Sequence, residues 1–338
     1  MLPAAKSEIE MREVVPPRNI IVDCDAGIDD ALALIILLAG HTDKRLNVKA
    51  ITCVNGNTKV DNVVRNVFRT LHACDCMDIP VYRGAYSALL DTPNATETTL
   101  EQYHGVDGFG DAFTDKPDTS KLQEEHAVCA LHRITSEDPD NVAVVCMGPL
   151  TNIAMTMKMY PEFATNVKEF FVMGGNSTGQ GNITAQAEFN FYVDPESVHI
   201  VLNSNTKPLW LLPWESCLET RITHEWRKDV FGKIDKPCVH MMNVIEESRR
   251  EQAKKHFPYY TMCDAFLAGI VVIPHMAENV VAWHADIELS GNRTRGQVVL
   301  DHLLSNKPNV YLIHSFNSEI FKKILLDAAN AIRDYRCV

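Results

Sequence analysis

Four aspartates are crowded into eight residues, D-C-D-A-G-I-D-D, at positions 23, 25, 29 and 30. Two bare carboxylates about 5 Å apart repel by roughly 3 kcal/mol at an effective dielectric near 20. Four together therefore require a cation or protonation. Oxygen ligands without a nearby His or Cys cluster indicate calcium or magnesium rather than zinc. The alternative is that Asp29 and Asp30 complement a helix dipole while the others are solvated, which suits one aspartate better than four.

The elements around this cluster alternate between short apolar strands and amphipathic helices. Residues 19–23 read as a buried strand and 29–39 as a helix. Further strands are expected at 48–54, 80–83, 142–146, 169–173, 208–212 and 310–314, and helices at 60–73, 124–136, after 150, at 195–203, 264–272 and 318–334. Residues 86–120 favour a long loop, and 216–256 look mainly helical.

This alternation predicts an α/β fold: a single domain with a Rossmann-like, open, mostly parallel sheet and helices on both faces. The domain is expected over residues 19–338, after a flexible leader at 1–18. Ligands of such sheets bind beyond the carboxyl ends of the strands. The aspartates follow the first predicted strand and lie at that edge.

Composition excludes several classes of function. The 338 residues are 46% hydrophobic with a net charge of -12, which argues against nucleic-acid binding and suits a protein that gathers a cation. The longest uncharged apolar run, 31–40, is about half a membrane span, so no membrane partner is expected. The ten cysteines form no disulfide or zinc framework, and reduced thiols indicate a cytoplasmic protein.

The segment at 23–30 resembles the signature of the inosine-uridine preferring nucleoside hydrolase family, whose usual form is D-x-D-P-G-x-D-D. Ala26 replaces the usual proline. The resemblance implies that Asp25 and Asp30 hold a calcium ion. It also implies that Asp29 contacts the ribose.

Further segments resemble the family in the expected order. V-N-G-N ends at Asn57, which the resemblance directs to the ribose or the water, and Y-H-G-V-D-G carries His104 in a loop over the base. An exposed loop histidine is the ordinary alternative for His104. M-G-P-L-T-N begins at Met147, whose backbone carbonyl would be a calcium ligand.

The block G-N-I-T-A-Q-A-E-F-N presents Asn182, Glu188 and Asn190, which would hydrogen-bond the ribose hydroxyls, the 5′ one included. T-M-C-D-A supplies Asp264 as the last calcium ligand. Many family members have His where this chain has Cys263, and a thiol of ordinary pKa is a poor acid at pH 7. Cys263, another residue, or no direct donor remain open as the source of the base's proton.

The implied activity is calcium-dependent hydrolysis of the N-glycosidic bond of ribonucleosides, serving base salvage. Asp25 would take a proton from a water that calcium orients. Trp210 and Trp214 follow or end a predicted strand and could approach the base, although core packing is the ordinary interpretation of either. Residues 224–260 are expected to form a flap. A homodimer or homotetramer is expected.

Two other functions remain open at this point. Haloacid-dehalogenase-like phosphatases also open with a strand ending in D-x-D, but Gly27 stands where they have Thr or Val. A catalytically weak homologue that binds nucleoside or calcium is the non-enzymatic alternative, suggested by Cys263.

Overall fold

The computed structural model describes residues 19–90 and 103–332. The predicted leader at 1–18, residues 91–102 of the predicted loop and the end of the last predicted helix lie outside this range. The predicted division into leader and domain is therefore not tested.

A nine-stranded sheet runs through the described residues in the order β4-β3-β2-β1-β5-β6-β7-β11-β8, and β9 pairs with β10 separately. Every pair in the large sheet is parallel except β11 with β8. The strands are β1 (Asn19–Cys24), β2 (Asn47–Cys53), β3 (Val81–Arg83), β4 (Leu122–Gln123), β5 (Val142–Cys146), β6 (Val167–Met173), β7 (Leu209–Leu212), β8 (Ala277–Trp283), β9 (Ala285–Ile287), β10 (Val298–Leu300) and β11 (Val310–Phe316).

The α-helices connect these strands, together with short 3-10 turns at Phe231–Lys233 and Pro274–Met276. They are α1 (Ile28–Thr42), α2 (Val60–Ala73), α3 (Ala127–Glu137), α4 (Thr151–Met159), α5 (Phe163–Asn166), α6 (Phe189–Val193), α7 (Pro195–Ser204), α8 (Trp214–Leu218), α9 (His224–Asp229), α10 (Pro237–Glu247), α11 (Arg250–His256), α12 (Cys263–Val272) and α13 (Ser318–Ala331).

The hydrophobic core lies on both faces of the sheet. Ile20 and Val22 of β1 pack into a cluster with α1, α2, α10, α12 and α13, whereas Ile21 packs into a second cluster with α3, α4 and α7. Successive side chains of a strand point to opposite faces, so one strand serves both layers. The predicted open sheet with helices on both faces is confirmed.

Helix α1 is buried around most of its circumference and packs against α12. Because few polar residues interrupt Ile28–Gly40, the helix is stable only where other helices surround it. Its first turn carries Asp29 and Asp30, and the first turn of α12 carries Asp264. The packing of these two helices brings the three carboxylates together.

Some strands were not predicted from the sequence. β8 has exposed polar residues in its first half, and β4, β9 and β10 have only two or three residues each, so none of them shows a buried apolar run. The prediction that 216–256 is mainly helical is confirmed, with turns separating α8, α9, α10 and α11. Within the described residues, no helix combines the length and apolar character that crossing a bilayer requires.

Candidate active site

The carboxyl ends of β1, β5 and β6 meet at the centre of the sheet. Asp23 of β1 lies opposite Cys146 of β5, and the Met147 N–H donates to the Asp23 carbonyl at 2.9 Å. The Asn190 side chain then ties two strand ends together, since Nδ2 donates to the carbonyls of Met147 (2.9 Å) and Met173 (3.2 Å). The residues after these strands therefore surround one crevice.

Ligand atoms of Asp29, Asp30 and Asp264 all lie within 4.8 Å of one another. Burial raises the pKa of Asp30 to about 7, with Asp29 adding to the rise. Burial also raises the pKa of Asp264, helped by the charges of Asp29, Asp30 and Asp25. We call Asp25, Asp29, Asp30 and Asp264 the aspartate cluster.

Asp25 lies beside the other three aspartates, and Asn57 holds its carboxylate. The Asn57 N–H donates to Asp25 Oδ2 at 2.7 Å, and Asn57 Nδ2 donates to Asp25 Oδ1 at 3.0 Å and to Asp30 Oδ2 at 3.2 Å. A Cβ on Gly56 would lie 2.1 Å from Asp25 Oδ2, so this close approach requires glycine. Burial raises the pKa of Asp25 well above its usual range, with Asp30 the next cause.

The turn between β1 and α1 directs these aspartates. Ala26 has φ +39°, which is strained for a residue with a Cβ. Its carbonyl accepts a hydrogen bond from Asn66 Nδ2 at 3.0 Å, and the same nitrogen donates to the Asp107 carbonyl at 2.8 Å. The Gly27 N–H donates to Asp30 Oδ2 at 2.8 Å. Asn66 on α2 thus joins the aspartate turn to the loop that follows His104.

Several carboxylate oxygens in the crevice are buried without a hydrogen-bond partner: Oδ1 of Asp23, Asp29, Asp30 and Asp264. Unpaired buried charges are strongly unfavourable, whereas a divalent cation satisfies them and removes the repulsion. Oxygen donors of this kind fit a hard cation. The residues present therefore fit a bound metal ion.

His104 is buried rather than exposed in solvent. Its Nδ1 accepts a hydrogen bond from the Ile28 N–H at 3.0 Å, and its Nε2 lies 3.8 Å from Asp29 Oδ1. Burial lowers its pKa; the charge of Asp29 opposes this and that of Arg249 reinforces it. An acceptor role for Nδ1 assigns the proton of a neutral ring to Nε2, the atom nearer Asp29.

Glu188 and Asn190 are buried on the β6 side of the crevice. Glu188 caps α6, and its carboxylate accepts from the N–H groups of Gly175 (2.7 Å), Asn190 (2.9 Å) and Phe191 (3.1 Å). Burial raises the pKa of Glu188 to about 7, and the charge of Asp29 contributes to the rise. Asn182 is exposed, and its Oδ1 accepts from the Phe189 N–H at 2.8 Å.

Cys263 and Trp214 lie on the α12 and α8 side. Burial raises the pKa of Cys263 well above its usual range, as does its hydrogen bond with Cys217, so the thiol is a poor proton donor. Trp214 packs edge-on against Phe257 at 5.7 Å, and Tyr103 packs edge-on against both Phe257 and His104. Trp210 instead stacks on Phe171 and packs against Tyr311 of the sheet.

A cavity of about 180 Å³ adjoins the crevice and is lined by Ile28, Tyr103, Phe257 and Met262. Arg227 and Arg249 also line it, and residues 224–260, which were predicted to form a flap, supply most of its wall. Sequence reasoning missed three contributors: Asn66, Glu215 and Arg249. Asn66 and Glu215 act through contacts 35 to 41 residues away, and no local pattern marks them.

Comparisons with known proteins identify relatives of this chain. Residues 20–323 match the family described as inosine-uridine preferring nucleoside hydrolase. A protein of that description from Leishmania major is 30% identical over 324 residues, covering 94% of this chain and 99% of the relative. A pyrimidine-specific ribonucleoside hydrolase, RihA, of Shigella flexneri serotype 5b is 31% identical over 314 residues, covering 91% and 97%. The structure of an inosine-guanosine nucleoside hydrolase superposes with a TM-score of 0.83 at 26% identity, covering 93% and 99%.

A parallel α/β sheet with a buried acidic crevice at its carboxyl edge, together with these relatives, defines an N-glycosidase of the ribonucleoside hydrolase class. The chain belongs to the inosine-uridine preferring nucleoside hydrolase family. This family is metal-dependent, and the aspartate cluster is the acidic group that fits the ion here. The phosphatase alternative is not favoured.

Proposed function

We propose that this enzyme hydrolyses ribonucleosides to ribose and free base with a calcium ion held by Asp25, Asp30, Asp264 and the Met147 carbonyl. The supporting observation is the set of buried, unpartnered oxygens on Asp29, Asp30 and Asp264 beside Asp25. Calcium, when bound, supplies the positive charge that holds the ribose 2′ and 3′ hydroxyls and orients a water.

Asp25 is the general base in this proposal. It is buried, and Asn57 fixes both of its oxygens, so its orientation is set before substrate arrives. The surrounding carboxylates also stabilise the positive charge that develops on the ribose as the bond to the base breaks.

Ribose recognition is assigned to Asp29, Asn57, Asn182, Glu188, Asn190 and Asp264. Burial of Glu188 and Asn190 supports a preformed surface for sugar hydroxyls, because their side chains are already locked by backbone groups. Amide and carboxylate groups together can accept from and donate to hydroxyls. Trp214 is placed on the base side, since its edge contact with Phe257 continues to Tyr103.

The departing base needs a proton or another means of stabilising negative charge. Of the two candidates we favour His104, because the Nε2–H of its neutral ring can donate a hydrogen bond, whereas the Cys263 thiol is buried with a raised pKa. We therefore assign His104 to the base side as a hydrogen-bond donor that stabilises the negative charge of the departing base, and Cys263 to packing.

We also propose that the enzyme works in the cytoplasm, in base salvage, as a homodimer or homotetramer. None of the nine cysteines among the described residues forms a disulfide, which supports a reducing compartment. Light scattering coupled to gel filtration measures the oligomer directly. A monomer at micromolar concentration would contradict this part.

The central experiment follows ribose release from inosine, uridine and adenosine by the purified enzyme, with and without a chelator. We expect turnover of at least one nucleoside, its loss with the chelator, and recovery on adding calcium. Turnover that is unaffected by a chelator would contradict the proposed cofactor. Binding of nucleoside without base release would instead favour the non-enzymatic alternative.

A further inference from the structure

The carboxylate of Glu215, on α8, accepts hydrogen bonds from a segment 35 to 38 residues earlier in the chain. Oε1 accepts from the Thr178 N–H and Oγ1 (both 2.8 Å), from the Ser177 N–H (3.1 Å) and from the Gln180 N–H (3.2 Å). Oε2 accepts from the Ser177 N–H at 2.9 Å. A carboxylate has about four lone-pair sites, so this group is saturated.

The segment 177–180 forms a sharp turn, and the residue before it is held by two further hydrogen bonds. Asn176 is held by the Val298 N–H, and its Nδ2 donates to the Gln186 carbonyl at 2.6 Å. Gly179 has φ +76°, which favours glycine. Glu215 thus binds the middle of a turn whose N-terminal end is already fixed.

Asn182 follows this turn by two residues and is exposed. Its own contacts are short-range: its N–H donates to the Ala187 carbonyl at 3.1 Å, and its Oδ1 accepts from the Phe189 N–H. Glu188 and Asn190 are anchored separately, by Gly175 and by the carbonyls of Met147 and Met173. Loss of Glu215 therefore removes the bonds to the N–H groups of the turn before Asn182, where the Gln180 carbonyl keeps a contact with Asn176 Nδ2 (3.4 Å), and it leaves Glu188 and Asn190 in place.

We propose that Glu215 is a positioning residue that sets recognition of the ribose 5′-hydroxyl, because it fixes the turn that presents Asn182. This inference rests on the proposed function, in which Asn182, Glu188 and Asn190 together bind the ribose hydroxyls, the 5′ one included, and it assigns the 5′-hydroxyl to Asn182. Charge-assisted hydrogen bonds to several backbone N–H groups are strong enough to order a short loop. The role is confined to the 5′ end, so chemistry at the glycosidic bond does not depend on it.

The test compares a cleaved ribonucleoside with its 5′-deoxy analogue in wild type and in Glu215→Ala. We expect wild type to prefer the 5′-hydroxyl substrate by about tenfold in kcat/KM, carried mainly by KM. In Glu215→Ala this preference falls to about twofold or less, while kcat/KM for the 5′-deoxy analogue changes by less than about twofold. A general structural defect would lower both substrates equally.

Controls separate the local role from folding. Glu219→Ala changes an exposed carboxylate at the end of the same helix, and its 5′ preference should equal that of wild type. Glu215→Gln keeps one oxygen acceptor and should show an intermediate preference. Asn182→Ala should lose the preference, and adding Glu215→Ala to it should cause no further loss.

The outcomes distinguish this inference from the function on which it rests. A full 5′ preference in folded Glu215→Ala would overturn the inference and leave the proposed function standing. A wild type that cleaves nucleosides without any 5′ preference would overturn both the role of Asn182 and the inference. If wild type cleaves neither substrate, the proposed function fails. The inference is then tested by calorimetry, as the ratio of the affinities of wild type and Glu215→Ala for the ribonucleoside and its 5′-deoxy analogue.

Discussion

Two groups of acidic side chains lie along the same edge of the sheet and differ in the hydrogen-bond partners of their carboxylate oxygens. The aspartate cluster gathers Asp25, Asp29, Asp30 and Asp264, and three of its oxygens are buried without a hydrogen-bond partner. Glu188 and Glu215, by contrast, are surrounded by backbone N–H donors. The first group therefore depends on a cation from outside the chain, and the second is complete within the fold.

This difference separates the two tasks of the site. Carboxylates that repel each other favour the binding of a divalent cation, and they stabilise positive charge that develops nearby. Carboxylates that accept several backbone N–H groups fix the chain around them. Substitutions in the aspartate cluster should therefore impair catalysis and metal binding. Substitutions of Glu188 or Glu215 should instead impair stability and sugar recognition.

The largest expected effect is on turnover. Asp25→Ala should lower kcat by about a thousandfold or more, because the proposed general base is removed. Ribose release measures this, and circular dichroism verifies the fold. Asp61→Asn, which changes a surface aspartate paired with Arg83, is the matched control and should retain wild-type activity. A loss of less than tenfold in Asp25→Ala would remove Asp25 from the chemistry.

Stability of the metal-free protein should fall as the pH rises from about 4 through about 7. The pKa of Asp30 is raised to about 7 and those of Asp25 and Asp264 are also raised, so the folded state binds more protons than the unfolded state over this range. For Asp30 alone the loss is on the order of 4 kcal/mol. Stability is greatest below the ordinary aspartate pKa and lowest above the raised values.

Calcium should suppress this fall, because the ion binds the ionised carboxylates of the folded state. Thermal unfolding between pH 4.5 and 8, with chelator or with calcium, measures both curves. Asp264→Asn should flatten the chelator curve. Identical pH dependence with and without calcium would show that the cluster does not hold the ion.

Glu188→Gln should mainly reduce stability, by about 1–3 kcal/mol, because an amide nitrogen would face backbone N–H donors. The pKa of Glu188 is raised to about 7, so its ionisation destabilises the wild type progressively between about pH 4.5 and 7. The stability difference between wild type and variant should therefore shrink as the pH rises.

Urea unfolding at pH 5 and pH 8 in calcium checks this, since calcium removes the contribution of the aspartate cluster. Glu162→Gln, at an exposed position, is the control for the change from acid to amide. A difference that grows with pH would contradict the assignment of the raised pKa to Glu188.

Cys263→Ala should have the smallest effect, below about threefold in kcat, because a buried thiol with a raised pKa donates protons poorly. His104→Ala, in the same assay, should cost about 10- to 100-fold. The two variants together identify the side chain that serves the departing base. A collapse of activity in folded Cys263→Ala, with His104→Ala near wild type, would reverse the assignment.

The fold and the acidic edge of the sheet were predictable from local patterns. Buried strands followed by acidic or amide residues indicate the carboxyl edge of a parallel sheet, which is why Asp25, Asp30 and Asn57 could be placed at one crevice. Asp264 follows no predicted strand, and it was placed there by the resemblance to the nucleoside hydrolase family. Asp30 and Asp264, two of the proposed calcium ligands, form one tight group with Asp29, and that group does not include Asp25.

What could not be predicted depends on contacts between distant segments or on weak local signals. Asn66 and Glu215 are ordinary helix residues until the fold brings other loops against them. The edge strand β8 carries Glu278 and Asn279 at exposed positions, so its alternation is too irregular to indicate a strand. For His104 an exposed loop position remained open from the sequence, and its burial and its contact with Ile28 show that it is enclosed.

The amide of Asn66 has a consequence for how the crevice opens. One nitrogen holds both the strained turn at Ala26 and the loop at Asp107, so neither can shift without releasing the other. Under the proposed function, the ribose site and the loop over the base therefore share one hydrogen-bond donor. Breaking its bond to Asp107 during product release is then expected to loosen the turn that carries Asp25.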